Sequence, residues 1–329
     1  MMAKTARGAR MALYVTGILI VAGIAAFLLG PRPPSDTTIE FDPSTLSDDL
    51  DAYLAASEAE FDDLRPGNQK QIVWAYPASR ARTPLAIIYV HGFSASPGEL
   101  RPLPDLVARK LGANLYYARL SGHGRSGDAM RDGSVHAWVN DFAEAVAIGR
   151  RLGERVILMA TSTGASLATW AATQPELTRD VAGLVQFSPN YGVQAAGSSL
   201  LTMPWAKQMV QLIIGDRRSF EPTNQLHAQY WTSEYPSLAL LPMASLVKLA
   251  NEADAGDITI PSLFVYSPLD RIIRPDLVKA KAAAWGAPTE TIEVSDADDP
   301  NHHVIAGDAL SPSTTEKLAA ATADWIAGL

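Results

Sequence analysis

From about Gln71 to the carboxyl end, short apolar segments alternate with longer amphipathic segments. The predicted strands are Ile72–Tyr76, Leu85–Val90, Leu115–Ala118, Val156–Ala160, Val181–Phe187, Ser262–Tyr266 and Thr291–Val294. The predicted helices are Leu100–Leu111, Val135–Leu152, Gly164–Thr173, Asp276–Trp285 and, approximately, Ser313–Ile326. Strands that are apolar on both faces need a cover on both faces, and helices between parallel strands supply it. The pattern therefore predicts an α/β fold with a mostly parallel sheet and helices on both faces.

One segment, about residues 190–258, departs from this alternation. It lies between two predicted strands, contains several prolines, and is rich in methionine, tryptophan, tyrosine and leucine. An insertion at this place would cover one edge of the sheet. We therefore predict a helical lid, inserted between late strands.

The amino-terminal region carries a separate signal. Residues 11–30 contain no charged side chain, whereas Lys4, Arg7 and Arg10 precede them. A helix of this length can cross the hydrocarbon layer, which is about 30 Å thick, and basic residues favour the cytoplasmic side. We therefore predict a basic cytoplasmic segment over residues 1–10 and a single-pass transmembrane anchor over 11–30. The rest of the chain would lie on the non-cytoplasmic side, in a periplasmic or extracellular compartment.

Two other interpretations of the apolar run remain open. It could be a cleaved signal peptide, although Phe27-Leu28-Leu29 occupies the place where small residues usually precede a cleavage site, or a buried helix of a soluble domain. A proline-rich stretch after the run predicts a linker over residues 31–43. The main domain then covers residues 44–329, and it begins with a helix that Ser44 or Thr45 would cap. The acidic face of that helix is expected to be solvated.

Composition narrows the chemistry and the partners. The chain has 27 Lys+Arg against 35 Asp+Glu, a net charge of −8, and no basic cluster, which argues against a nucleic-acid partner. The absence of cysteine excludes disulfides, thiolate nucleophiles and cysteine-based metal sites. The sequence contains neither a recognised metal-binding motif nor a nucleotide-binding glycine pattern, so neither a metal nor a cofactor is predicted.

A strand, a tight turn and a helix meet at Ser162. The predicted strand runs into Thr161-Ser162-Thr163-Gly164 and then into an alanine-rich helix. Small residues two positions before and after the serine are typical of a nucleophile elbow, although Ala160 stands where glycine is usual. Taken alone, a serine in such a turn is more often structural, so the elbow interpretation needs support from the rest of the sequence.

The strand Leu85–Val90 ends in His91-Gly92-Phe93. In this architecture, the loop after that strand and the residue after the nucleophile supply backbone N–H groups to an oxyanion. We therefore predict Phe93 and Thr163 as the oxyanion-hole donors, and we expect His91 to pack within the turn.

A serine hydroxyl needs an imidazole to accept its proton and a carboxylate to orient that imidazole. Asp270 and His303 each lie just past a predicted strand, and serine, acid and histidine then follow one another in the chain order of a hydrolase triad. Other candidates are Asp254, Asp257 and Asp276 for the acid and His302 for the base.

These motifs resemble the α/β-hydrolase superfamily, and more closely the group of monoacylglycerol lipases, carboxylesterases and serine aminopeptidase-like proteins. The resemblance extends from about Ile72 to the carboxyl end. It is carried by Val90-His91-Gly92-Phe93, Leu120-Ser121-Gly122-His123-Gly124, Trp138 with Asp141, Ser162, Asp270 and His303-Val304-Ile305.

The resemblance implies a triad of Ser162, Asp270 and His303, because relatives place the base directly before a small apolar pair. It also implies a loop-shaping role for Gly122-His123-Gly124. Relatives that dehalogenate or open epoxides carry aspartate at the elbow, so Ser162 implies hydrolysis of carboxylic esters through an acyl-enzyme.

The composition of the lid suggests the substrate class. Its candidate substrate-binding residues are Trp205, Met209, Tyr230 and Trp231. Most such side chains pack a lid onto its sheet, yet a lid rich in methionine and aromatic residues suits an acyl chain. The prediction is a lipid-like acyl ester, such as a monoacylglycerol.

Two other functions remain open at this point. A serine aminopeptidase would need a lid carboxylate to hold the substrate amine, and Glu221, Glu234 and Glu252 are available. A non-catalytic binding protein of this fold would be expected to lack one triad residue, and all three are present. The sequence leaves the oligomeric state undetermined.

Overall fold

The computed structural model describes the backbone of residues 2–329 and the side chains of residue 11 and residues 13–329. Its strands, in chain order, are β1 (Gln71–Val73), β2 (Thr83–Val90), β3 (Asn114–Tyr117), β4 (Gly153–Thr161), β5 (Val181–Phe187), β6 (Arg217–Ser219), β7 (Glu234–Pro236), β8 (Ser262–Tyr266) and β9 (Thr289–Glu293). The main sheet has the order β1-β3-β2-β4-β5-β8-β9. Every neighbouring pair in it is parallel except β1 with β3. The predicted mostly parallel sheet is therefore confirmed.

The helices, in chain order, are α1 (Met2–Leu28), α2 (Leu50–Glu58), α3 (Leu103–Leu111), α4 (Val135–Leu152), α5 (Thr163–Ala172), α6 (Pro175–Thr178), α7 (Ala206–Ile213), α8 (Gln225–Tyr230), α9 (Leu240–Glu252), α10 (Pro275–Ala283) and α11 (Pro312–Ala327). Side chains alternate across a strand, so Ile88 and Val90 of β2 face one core while Ile87 and Tyr89 face the other. Helices α4 and α5 pack on the first face, and α3 and α11 pack on the second. The prediction of helices on both faces is confirmed.

The acidic helix near residue 50 differs from its prediction in two ways. Asp49, rather than Ser44 or Thr45, is the N-cap, because its side chain accepts the N–H of Ala52 at 3.0 Å. Ser44 and Thr45 belong to a short 3-10 turn, and this turn ends because the backbone becomes extended at residue 46. The acidic face is also not wholly solvated: Glu58 is buried and paired with Arg119, whose Nε lies 2.9 Å away.

The amino-terminal residues form α1, whose described apolar side chains are exposed. Among the residues that the structure describes, none of the helices is both long and apolar enough to cross a bilayer. The predicted segment 1–10 and residue 12 of the predicted anchor 11–30 lie outside the described side chains.

The chain between β5 and β8, residues 188–261, is called the cap below. It carries α7, α8, α9 and the antiparallel pair of β6 and β7. Helix α9 packs on α5, the helix that follows Ser162. The cap therefore rests on the element that begins at the nucleophile elbow.

Candidate active site

Ser162 lies at a sharp turn between β4 and α5. Its backbone has φ 52° and ψ −118°, in the left-handed half of φ space that non-glycine residues rarely adopt. The surrounding structure stabilises this conformation: the Ser162 N–H donates to the Phe187 carbonyl at 2.9 Å, and its carbonyl accepts the Asn190 N–H at 3.1 Å. A Cβ atom at Gly164 would lie 2.4 Å from the His91 carbonyl oxygen, so this position of the turn requires glycine.

A line of hydrogen bonds connects three of the predicted residues. His303 Nε2 lies 3.0 Å from Ser162 Oγ, and His303 Nδ1 lies 2.7 Å from Asp270 Oδ2. Asp270 is almost fully buried, and its second oxygen accepts the N–H groups of Ile272 and Ile273 at 2.7 and 2.9 Å. The carboxylate is therefore fixed in the position from which it contacts the imidazole.

The other candidates for the acid lie elsewhere. Asp276 pairs with Arg274 on the surface, Asp254 accepts the N–H of Gly256, and Asp257 is exposed in a short 3-10 turn. His302 has φ 51° and donates its N–H to the Asp299 carbonyl at 2.8 Å. Its neighbour His303 is the histidine that contacts Ser162 and Asp270.

The environment of His303 favours the imidazolium form. Burial acts to lower the pKa of His303, but the Asp270 carboxylate outweighs it through charge and hydrogen bonding. The carboxylates of Glu99 and Asp299 act in the same direction, and the pKa is raised above its usual 6.5. The neutral imidazole of His303 can accept the Ser162 proton, and the raised pKa stabilises the imidazolium that results.

Two residues that the sequence interpretation missed hold His303 in place. Asp299 Oδ2 accepts the backbone N–H groups of His303 and Val304 at 3.0 and 2.9 Å. The Ser188 hydroxyl donates to the His303 carbonyl at 2.6 Å. Asp299 could have been found from the Asp299-Pro300-Asn301 sequence, which is typical of an Asx turn, whereas no local signal identifies Ser188.

Both predicted oxyanion-hole donors line the cavity that contains Ser162. Thr163 is the first residue of α5, so its N–H has no acceptor within the helix. Phe93 follows Gly92 in the turn after β2, and both Phe93 and Thr163 line the same cavity as Ser162 and His303. Both residues therefore border the cavity in which an ester substrate would reach Ser162.

The other two histidines of the predicted motifs are interior and neutral. His91 Nδ1 donates to the Gly92 carbonyl at 2.8 Å while Nε2 accepts the Leu120 N–H at 3.1 Å, and burial holds the pKa of His91 well below its usual value. Burial also lowers the pKa of His123 to about 4. His123 packs against Phe93 and Trp138, in keeping with the expected loop-shaping role.

A cavity of about 590 Å³ opens above Ser162. Its apolar wall consists mainly of cap residues: Leu200, Leu201, Met209, Val210, Ile213, Ile214, Trp231, Leu240 and Met243. Polar residues, among them Glu99, Asn190, Asp299 and Asn301, are also part of the lining. The described residues contain no group of three His, Cys, Asp or Glu side chains that could hold a metal ion.

The structure corrects two of the four predicted lid positions. Met209 and Trp231 line the cavity, but Trp205 and Tyr230 do not. Trp205 precedes α7 and donates its Nε1–H to the Ala26 carbonyl at 3.1 Å, so its indole faces the end of α1. The ring of Tyr230 covers Gly98, where it leaves no room for a Cβ atom.

Comparison with known proteins gives a consistent result. The sequence profile described as "Alpha/beta hydrolase family" matches residues 87–311, more than half of the chain. The thermostable monoacylglycerol lipase of Bacillus sp. (strain H-257) is 23% identical over 201 residues, which are 61% of this chain and 76% of that protein.

Two solved structures share the fold. One, of the metagenome-derived lipolytic enzymes LipS and LipT, superposes with a TM-score of 0.66 at 16% identity, covering 81% of this chain and all of the other. The other, the monoacylglycerol lipase of Paleococcus ferrophilus, has a TM-score of 0.57 at 15% identity and covers 79% of this chain and 98% of its own. The profile match covers more than half of the chain, and the sheet order and the elbow at Ser162 agree with it. This chain therefore belongs to the alpha/beta hydrolase family.

Proposed function

We propose that this protein hydrolyses carboxylic esters with lipid-like acyl chains, using Ser162, His303 and Asp270 as a catalytic triad. The observation that carries this proposal is the pair of hydrogen bonds, 3.0 and 2.7 Å long, that joins the three side chains beneath an apolar cavity. The similarity to a monoacylglycerol lipase supports the same reaction class.

The geometry supports the following sequence of steps. Ser162 Oγ attacks the ester carbonyl carbon while its proton passes to His303 Nε2, and Asp270 stabilises the imidazolium that forms. The Phe93 and Thr163 N–H groups receive the negative charge on the former carbonyl oxygen. Collapse of this intermediate transfers the proton from His303 to the departing alcohol and leaves the acyl group on Ser162. A water molecule then repeats the sequence, with His303 as base, and releases the acid.

The cavity supports the choice of an acyl chain as the recognised group. Its wall on the cap side is formed by leucine, isoleucine, valine and methionine side chains, which stabilise a bound alkyl chain by removing it from water. Each buried methylene group contributes about 0.8 kcal/mol. Affinity for the ester should therefore rise with acyl-chain length until the cavity is full.

The test combines a fluorophosphonate probe with a series of p-nitrophenyl esters from acetate to palmitate. We expect the wild-type protein to be labelled, to prefer medium or long chains, and to lose both properties in Ser162→Ala. Ser199→Ala is the matched control, because Ser199 is an exposed cap residue outside the cavity lining. Labelling of Ser162→Ala at the wild-type rate would refute the nucleophile, and a preference for acetate would refute the acyl-chain assignment.

The peptidase alternative has little support from the cap carboxylates. Glu234 pairs with Arg217 and Glu252 with Lys248, so both are occupied, whereas Glu221 does line the cavity. Because Glu221 is the one of these three carboxylates left to hold a substrate amine, and the cap side of the cavity is mainly apolar, an amino-acid arylamide should be a poor substrate compared with an ester of similar size. Efficient turnover of the arylamide that is lost in Glu221→Gln would favour the peptidase instead.

We also propose that residues 11–30 anchor the chain in a membrane, with the catalytic domain on the non-cytoplasmic side. The support is the charge-free run, the preceding basic residues Lys4, Arg7 and Arg10, and the exposure of the described apolar side chains. The full chain should sediment with membranes and resist carbonate extraction, whereas a variant lacking residues 1–34 should be soluble and active on soluble esters. Recovery of the full chain in the soluble fraction would refute the anchor.

A further inference from the structure

Glu99 is a buried carboxyl group beside the active site that the proposed reaction does not use. It lies in the loop between β2 and α3, is 2% exposed, and belongs to the lining of the cavity above Ser162. Its Oε2 atom accepts two hydrogen bonds, from the Gly92 N–H at 2.8 Å and from the Tyr89 hydroxyl at 2.9 Å. A buried carboxyl with two donors on one oxygen is held in a single orientation.

The two donors belong to two different parts of the active site: Gly92 to the turn that carries Phe93, and Tyr89 to the contact with the strand end before Ser162. Gly92 directly precedes Phe93, the proposed oxyanion-hole donor, so the bond to Glu99 restrains the turn that carries Phe93. The Tyr89 hydroxyl also lies 3.0 Å from Thr161 Oγ1, and Thr161 directly precedes Ser162. Through Tyr89, one carboxyl group therefore connects the oxyanion-hole turn to the strand end that presents the nucleophile.

Packing around Gly92 is close enough for this connection to matter. A Cβ atom at Gly92 would lie 3.0 Å from Glu99 Oε1 and 3.1 Å from Ser162 Cβ. Little space therefore separates Gly92 from either Glu99 or Ser162, so a shift of the turn towards one of them would displace that residue. An error of about 1 Å in such a group can reduce a rate about a hundredfold.

We propose that Glu99 is a positioning residue, which holds Gly92 and Tyr89 so that the Phe93 N–H and Ser162 keep their relative placement during ester hydrolysis. This inference rests on the triad and the oxyanion hole proposed above. Glu99 acts through its neighbours and takes no part in the bond changes at the ester carbonyl.

The same carboxyl has an electrostatic effect that a merely structural residue would lack. Burial raises the pKa of Glu99 to about 7. The hydrogen bonds from the Gly92 N–H and the Tyr89 hydroxyl favour the charged form and lower the pKa, but burial outweighs them. The Glu99 carboxylate in turn raises the pKa of His303, as do Asp270 and Asp299, which also face the imidazole. Removal of the Glu99 charge should therefore lower the pKa of His303 and move the acid limb of the rate profile to lower pH.

The test compares Glu99→Ala, Glu99→Gln and Tyr89→Phe by kcat, KM and the pH profile on a soluble p-nitrophenyl ester. The alanine variant removes the acceptor, so kcat should fall about tenfold to a hundredfold with little change in KM. The glutamine variant keeps an acceptor oxygen and should recover most of kcat, but with its acid limb at lower pH. Tyr89→Phe removes the hydroxyl that joins Glu99 to Thr161 but keeps the bond between Gly92 and Glu99, so it should lose less than the alanine variant.

Glu144→Gln is the matched control. Glu144 is also a buried carboxyl that accepts a tyrosine hydroxyl, from Tyr53 at 2.9 Å, but it lies on α4 outside the cavity lining. Its substitution should leave the acid limb where it is. A comparable shift in Glu144→Gln would mean that any buried charge produces the effect, and would overturn the inference.

The inference is also overturned if Glu99→Ala keeps kcat within about twofold of wild type, or if Glu99→Gln is as impaired as alanine with an unmoved acid limb. Wild-type turnover and the loss of turnover in Ser162→Ala are measured in the same series. An inactive wild type would refute the proposed function itself. An active wild type whose kcat is unchanged by substitution of Glu99 would refute this inference alone.

Discussion

The loops that carry the triad and the cap above them differ in what holds them in place. Ser162, Asp270 and His303 are largely buried, and each makes hydrogen bonds to the backbone or side chains of several other loops. The cap contributes apolar side chains to the cavity, while Leu212 and Ile213 on α7 are 87% and 66% exposed. Reaction geometry requires fixed polar atoms, whereas an alkyl chain requires only an apolar surface of sufficient extent.

This difference leads to a general expectation for substitutions. Changes in the triad loops should reduce kcat by large factors for every ester, because they alter a geometry that all substrates use. Changes in the cap should alter kcat/KM by small factors that depend on acyl-chain length, because each methylene contributes about 0.8 kcal/mol. The following three predictions test this contrast, from the largest expected effect to the smallest.

The largest effect is expected for His303→Ala. This substitution removes the group that accepts the Ser162 proton, so kcat should fall more than about a thousandfold on every ester in the series. Probe labelling should be lost as well. An unchanged thermal unfolding midpoint would show that the loss does not come from unfolding.

His302→Ala is the natural control for this change. His302 adjoins the base but contacts Ser162 through neither ring nitrogen, so its removal should cost about tenfold or less. If His302→Ala were inactive and His303→Ala active, the catalytic base would be His302 and not His303.

An intermediate effect is expected for Asp299→Ala. Its carboxylate holds the backbone of His303 and Val304, and its loss would leave two buried N–H groups without their acceptor. We expect kcat to fall about tenfold to a hundredfold, with stability lower by about 1–3 kcal/mol per unsatisfied group, measured by denaturant unfolding.

The neighbouring Asp298 provides the comparison for Asp299. Asp298 is exposed and accepts the Ser313 N–H at 2.9 Å, near the start of α11. Asp298→Ala should therefore lower stability by about 1 kcal/mol while kcat stays at the wild-type value. Equal losses of kcat in the two variants would contradict the orienting role of Asp299.

The smallest effect is expected in the cap. Met209→Ala removes an apolar side chain from the cavity wall, so kcat/KM for the longest esters should fall a few-fold while the acetate ester is unaffected. Leu212→Ala on the same helix changes an exposed residue outside the cavity lining and should leave the chain-length profile unchanged. A large, length-independent loss in Met209→Ala would contradict the division between triad loops and cap.

Local patterns predicted much of the fold correctly. The helix Val135–Leu152 and the strands Val181–Phe187 and Ser262–Tyr266 have the predicted bounds. Helix α4 is amphipathic and Ser134 caps it through a bond to the Ala137 N–H, so its start is encoded within three residues. Strand β4 extends beyond its predicted bounds, from Gly153 to Thr161, because Thr83 of β2 and Phe187 of β5 pair with its ends.

The acidic helix shows why other local predictions were wrong. Its charged face suggested contact with solvent, but Glu58 is buried because Arg119, 61 positions later in the chain, forms three hydrogen bonds with it. A buried carboxylate is tolerated only with such a partner. No window of the sequence around residue 58 contains that information.

The sequence by itself determined the α/β architecture, the small-residue turn around Ser162 and the chain order of serine, acid and histidine, because these depend on residue spacing and on neighbours a few positions apart. Only the tertiary structure showed the contact between Asp270 and His303, placed Asp299 behind His303, directed the Trp205 indole to the end of α1 and joined Glu99 to Gly92 and Tyr89. Each of these contacts joins loops or elements whose relative position depends on the sheet order. Strand ends that are distant in the chain meet only when the sheet has assembled, and the side chains that they carry acquire their partners at that point.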